Sequence, residues 1–172
     1  SVCSTFDGSG QGLTTLPSEI SSEITEINLS HNEFNIVGSN MFDRFLLLRK
    51  VWMNNNKISF IAVKAFNTAS PVQYLDFSGN RLTFLPDFRR LCDSLKTIIL
   101  SDNPMVNKPS DVNHLSGFSS LYFIYIEKTL WTTLEPVMSM APNKLRHLKA
   151  QESNLTDMDR TDLLTTIYEF YV

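Results

Sequence analysis

The sequence predicts an α/β solenoid, a stack of coils with one short parallel strand apiece, and three observations carry that prediction. A motif closing on asparagine returns four times: INLSHN at 27–32, VWMNNN at 51–56, LDFSGN at 75–80 and IILSDN at 98–103. The closing residues Asn32, Asn56, Asn80 and Asn103 lie 24, 24 and 23 residues apart. Apolar side chains keep fixed places around each of them, in the pattern LxxLxLxxNxL. A unit of this length cannot bury its apolar face alone and does so against the next unit, which is the physical basis of a solenoid.

Positions within a unit are counted from its first apolar residue. Positions one, four, six and eleven are filled by Ile24, Ile27, Leu29 and Phe34, then by Leu48, Val51, Met53 and Ile58. Val72, Leu75, Phe77 and Leu82 follow, and then Leu95, Ile98, Leu100 and Met105. Residues four and six point to the same face of an extended strand, so they place two side chains in the core and leave position five on the other side. At position nine the chain leaves the strand and strands backbone amides away from water; a carboxamide both donates and accepts, so a column of asparagines satisfies the turns of adjacent coils.

Two further units substitute a hydroxyl in that column: Leu121, Ile124, Ile126, Thr129 and Trp131, then Leu145, Leu148, Ala150, Ser153 and Leu155. The spacing stretches to 26 residues before Thr129. The second half is therefore expected to be less regular, with Pro104, Pro109 and the insertion through Gly117 making an irregular loop. The expected organisation is a cap over residues 1–23, six repeats over 24–166, and a seventh unit opening at 167–172 with Ile167, Phe170 and Val172, cut short with its apolar edge uncapped.

With four units in register, the chain from Leu13 onward resembles the leucine-rich repeat family. Phe42 and Phe66 stand at equivalent places in the first two repeats, as in the roughly 24-residue variety of extracellular and receptor ectodomains, and the plant-type LxGxIP pattern is absent. The run Gly12-Leu13-Thr14-Thr15-Leu16-Pro17 is similar to the end of an amino-terminal cap, but Gly8 stands where such a cap carries a cysteine. The resemblance implies a right-handed superhelix, a horseshoe arc with strands on its concave face and irregular or short helical segments on its convex face. It also implies an extracellular or cell-surface ectodomain, with a cytoplasmic scaffold as the alternative.

On a curved solenoid, positions three, five and seven face the concave side and are free to meet a partner. They include Lys50, Tyr74, Thr97, Phe123 and His147 at position three, Trp52, Asp76, Ile99, Tyr125 and Lys149 at position five, and Asn54 and Glu127 at position seven. Trp52, Tyr74, Phe123 and Tyr125 bring large contact area at small entropic cost, as anchors of a protein interface do. The expected binding set is thus Trp52, Asn54, Tyr74, Asp76, Ile99, Phe123, Tyr125, Glu127, His147 and Lys149, and the expected partner a protein or peptide, with dimerisation as an open alternative. Aromatic residues also favour strands for packing reasons alone.

Other functions find little support. A formal charge of -3 with no run of Lys or Arg gives no footprint for nucleic acid, and no apolar run is long enough to span a membrane, so no direct membrane contact is expected of this segment. The segment Gly8 to Gly12 lacks the spacing of a phosphate loop and reads as a flexible lead-in to the cap. Asp157, Asp159 and Asp162 lack the glycine of a calcium loop and have Tyr168 at the terminal glutamate place. His31, His114 and His147 fall in separate repeats, so no metal, cofactor or catalytic site is expected. Cys3 and Cys92 lie about three coils apart, roughly 15 Å, too far for a disulfide. Glycosylation sequons occur at Asn28 and Asn154; in a chain this rich in Asn, Ser and Thr they arise by chance and do not argue secretion.

Overall fold

The computed structural model describes residues 4–139, 145–155 and the backbone of 169–171. Its strands, in chain order, are β1 (Thr5–Asp7), β2 (Glu26–Asn28), β3 (Ile36–Val37), β4 (Lys50–Trp52), β5 (Phe60–Ile61), β6 (Tyr74–Asp76), β7 (Thr97–Ile99), β8 (Phe123–Tyr125), β9 (His147–Lys149) and β10 (Glu169–Tyr171). Eight of them form one parallel sheet in the order β1-β2-β4-β6-β7-β8-β9-β10, and β3 pairs with β5 in a second, two-stranded parallel sheet. Register is constant across the large sheet: Phe6, Ile27, Val51, Leu75, Ile98, Ile124, Leu148 and Phe170 stand in one row. From Ile27 to Leu148 that row is buried to 1% exposure or less and its neighbours on either side remain partly open, as a period of two requires.

Each strand ends because position eight turns into the left-handed region. His31, Asn55, Gly79, Asp102, Lys128 and Glu152 have φ between 54° and 64°. Position nine then carries the chain inward. Asn56 donates to Leu29 O of the preceding coil at 3.0 Å and to Met53 O of its own at 3.1 Å, and its Oδ1 accepts the Phe34 N–H. Asn80 repeats the pattern on Met53 O, Phe77 O and the Ile58 N–H, and Asn103 on Phe77 O, Leu100 O and the Leu82 N–H. These three asparagines are buried, as is Asn32. Thr129 donates to Ile126 O of its own coil at 2.9 Å and lies 3.3 Å from Ser153 Oγ of the next, while Ser153 reaches back to the same Ile126 oxygen at 3.0 Å. A hydroxyl thus makes one carbonyl contact where the carboxamide spans two coils.

The amino-terminal segment departs from expectation. Gly8 to Gly12 is not a flexible lead-in: Gly8 N–H donates to Asn28 O at 2.8 Å and Gly10 N–H to Ser30 O at 3.0 Å. Asn32 completes the fit, donating to Gly8 O and accepting from the Gln11 and Leu13 N–H groups. The segment is a degenerate coil, with Phe6 at position four, Gly8 at six, Gln11 at nine and Leu13 at eleven. Gly8 fits because the Phe6 ring occupies the space a side chain there would need.

On the opposite side, Phe42 and Phe66 stack at 4.9 Å and 10° beneath the β3–β5 pair. The fourth return segment, expected as an irregular loop, contains a 3-10 helix, Pro109–Asn113. Proline opens it because its fixed φ suits a first helical turn and its missing N–H is not needed there. A single α-helical turn, α1 (Glu135–Met138), follows in the next return. One continuous apolar core runs through the coils from Ile20 to Ala150.

Candidate functional site

The outer face of the large sheet is built by positions three, five and seven. Because the central residues of β2, β4, β6, β7, β8 and β9 are buried, their two neighbours must project outward. Trp52, Asn54, Tyr74, Asp76, Ile99, Phe123, Tyr125, Glu127, His147 and Lys149 are all half-buried on this face.

The aromatic residues fall into two groups. On β4 and β6, the Trp52 and Tyr74 rings lie 5.5 Å apart at 49°, a tilted contact, and Lys50 Nζ sits 5.9 Å from the Trp52 ring. On β8 and β9, Phe123 and His147 stack at 4.7 Å and 10°, and Lys149 Nζ lies 5.4 Å from the Tyr125 ring. Strand β7 separates the groups and carries Thr97 and Ile99. The rings are thus held by their neighbours.

Electrostatics on this face are set locally. Burial pushes the Tyr74 phenol above its ordinary value and the Asp76 carboxylate adds to the rise, so Tyr74 is a neutral hydrogen-bond donor across the physiological range. Lys50 pairs with Glu26 at 2.9 Å. Glu127 accepts from Ser101 Oγ at 2.7 Å.

Asp76 is more occupied than its position in the sequence suggests. Its Oδ1 accepts from both the N–H and the Oγ of Ser78, at 2.9 and 2.6 Å. Asn28 does the same with Ser30, and Asp7 with Ser9. An Asp or Asn at position five followed by Ser at position seven therefore caps the strand end. The spacing is visible in the sequence, and position five serves both the turn and the exposed face. The Asn28 sequon lies within this turn; Asn154 is exposed, and its Thr156 lies outside the described residues.

Cys92 is a free, partly buried thiol whose pKa is raised by burial and by Asp93; Cys3 lies outside the described residues. Asp157, Asp159, Asp162 and Tyr168 also lie outside them. Among the described residues no cluster of His, Cys, Asp and Glu could hold a metal ion, and no helix is long and apolar enough to cross a membrane. His31 and His114 are apart from the sheet face, His114 bonding Leu85 O at 2.9 Å.

Sequence reasoning missed a second apolar surface. Ile36, Phe60 and Phe84 occupy position thirteen of three consecutive coils and are 55%, 59% and 39% exposed. A groove of about 280 Å³ lies between Phe60 and Phe84, with Lys108 Nζ 3.8 Å over the Phe84 ring.

Comparison with known proteins decides what the coils are. The family model described as Leucine rich repeat matches residues 47–105. The coils are leucine-rich repeats. Over 132 residues the chain is 28% identical to human "Leucine-rich repeats and immunoglobulin-like domains protein 3", covering 76% of this chain and 11% of that one. It is 30% identical to rat Tsukushi over 80% of its length and 38% of the relative's. Chicken "Toll-like receptor 2 type-2" is 30% identical over 64% of this chain and 14% of the receptor. The leucine-rich repeat chain thus spans only about a tenth to two-fifths of these relatives. The functional domain of InlJ from Listeria monocytogenes shares the fold, with a TM-score of 0.63 at 17% identity over 98% of this chain and 41% of that domain.

Proposed function

We propose that this chain is a non-catalytic recognition module that binds a protein or peptide through the concave face of its sheet. The observation that carries the reading is the paired aromatic arrangement, Trp52 on Tyr74 and Phe123 on His147 with Tyr125 beside it. Rings that are half-exposed yet held in place by one another give a partner large apolar area without a large ordering cost. Lys50, Glu127 and Lys149 supply a polar rim. The relatives, a Toll-like receptor among them, support placing the module in the extracellular part of a receptor or a secreted protein.

The test is a screen of extracellular proteins with the chain as bait, followed by affinity measurement for each retained partner. Trp52→Ala and Tyr125→Ala are each expected to weaken binding by about 2 kcal/mol or more, as truncated interface anchors do, with unchanged melting temperature. Unchanged affinity for both would remove the proposal. Loss on Phe60→Ala alone would move the binding surface to the opposite flank, where Phe60 is 59% exposed.

A further inference from the structure

A second surface lies along one edge of the sheet, at position two of each coil. There Arg49, Lys96 and Arg146 are exposed, with Gln73 and Tyr122 on the strands between them. Strands in a sheet lie ~4.8 Å apart, so cations on alternate coils fall about 10 Å from one another in a line. None of the three takes part in an ion pair among the described residues. Residues scattered over nearly a hundred positions make no basic run; only a constant register brings them into file.

The line is rigid. At position two, one carbonyl accepts both N–H groups from positions two and three of the next coil: Arg49 O from Gln73 and Tyr74, Gln73 O from Lys96 and Thr97, Lys96 O from Tyr122 and Phe123, Tyr122 O from Arg146 and His147. The main chain is therefore spent on coil stacking and offers a ligand no strand edge to extend. What remains are side chains. Arg49, Lys50, Gln73, Tyr74 and Lys96 line a shallow groove of about 410 Å³ together with Glu26, whose carboxylate is paired with Lys50 at 2.9 Å. Arg146 stacks on Tyr122 at 5.0 Å.

We propose that this edge binds a linear sulfated polysaccharide. The charges form a file, so they fit an extended polyanion with regularly spaced groups. Planar guanidinium groups at Arg49 and Arg146 suit oxyanions, each able to donate two parallel N–H bonds to two oxygens in fork geometry. Gln73 and Tyr122 place hydrogen-bonding groups between the cations, where a sugar presents hydroxyls, and Tyr74 gives the groove one ring face. A protein partner would need apolar anchor pockets at the centre of its contact, and this groove holds no apolar side chain besides the Tyr74 ring. The chain's net charge is -3, so the attraction is local and not a property of the whole molecule. The two surfaces share Tyr74, but Arg49, Lys96 and Arg146 belong to the edge alone, so substituting these three tests the edge without touching the concave aromatic residues.

The experiment measures Kd of the chain for a size-defined heparin-derived octasaccharide across a series of salt concentrations. Arg49→Ser, Lys96→Ser and Arg146→Ser combined are expected to weaken binding about tenfold or more and to flatten its salt dependence, because each ligand charge contact released lowers the slope. A control triple variant, Lys57→Ser, Lys64→Ser and Arg81→Ser, removes the same charge elsewhere and is expected to bind within about twofold of the parent, since exposed charges beyond a Debye length are screened. Thermal melting establishes that both variants fold. The fully desulfated octasaccharide is expected not to bind. Equal losses in the two triple variants, equal binding of the desulfated sugar, or equal competition by a polyglutamate peptide of matched charge would each overturn the proposal.

Discussion

The side chain of Asn80 joins two coils through Met53: its Nδ2 donates to Met53 O at 3.0 Å, and its Oδ1 takes the Ile58 N–H, also from the coil of Met53, at 3.0 Å. Both backbone groups are buried, and no water reaches them. Asn80→Ala leaves the buried Ile58 N–H without an acceptor, at about 1–3 kcal/mol, and takes one of two donors from Met53 O, which keeps Asn56 Nδ2 at 3.1 Å. The expected result is a loss of about 1–4 kcal/mol in denaturant unfolding, read as a lower midpoint. Asn80→Ser should lose less than Asn80→Ala, because Ser153 makes the equivalent cross-coil bond to Ile126 O.

Position eight gives a test with opposite signs. Gly79 has φ of 64° and would meet the Asn55 side chain if it gained a Cβ. Gly79→Ala should therefore destabilise by at least the ~1–2 kcal/mol that the left-handed region costs an L residue. Lys128 holds φ of 54° with a full side chain and a long, exposed 3.8 Å ion pair to Asp102. Lys128→Gly should stabilise by about 1 kcal/mol, since relief of strain outweighs an exposed ion pair worth little. Midpoints of thermal or urea unfolding for the two variants check both signs.

The pH dependence follows from Asp87. Arg89 clasps its carboxylate, Nη2 to Oδ2 at 2.6 Å, and holds its pKa below the ordinary value, with His114 adding to the effect. A depressed folded pKa means the unfolded chain binds the proton more tightly. The contribution is therefore complete above the unfolded carboxylate value, near pH ~4, and is lost as pH falls through the lower folded value. Because Arg89 is largely exposed, the effect is small. Asp87→Asn is expected to show a shallower decline of melting temperature with acid than the parent; a parallel decline would contradict the assignment.

Much of this architecture was legible because repeats average out local ambiguity. Asn56 alone is a poor strand former in a strand-like run; Asn32, Asn56, Asn80 and Asn103 at equal intervals identify one structural position. The inward row, from Ile27 to Leu148, followed directly from the period of two. What failed to show lies where the period fails. The Phe6 coil is 21 residues from the next and carries Gln11 in place of asparagine, so pattern matching passed over it. The Asp76–Ser78 turn was hidden because a residue at an exposed position has two uses, and spacing does not say which one it serves. The edge cations were hidden because Arg49, Lys96 and Arg146 become neighbours only after the coils stack.

The indole at position 52 is the anchor of the proposed concave surface, and the chain has two tryptophans to report on it. Trp131 is fully buried, whereas Trp52 is half-exposed beside Tyr74. Iodide quenching of tryptophan emission, measured for the free chain and again at saturation with a retained protein partner, tests the claim most directly. The free chain is expected to show one quenchable and one protected component, the quenchable one absent in Trp52→Phe and shielded once the partner is bound. A quenchable component that persists unchanged at saturation, or that survives Trp52→Phe, would contradict it.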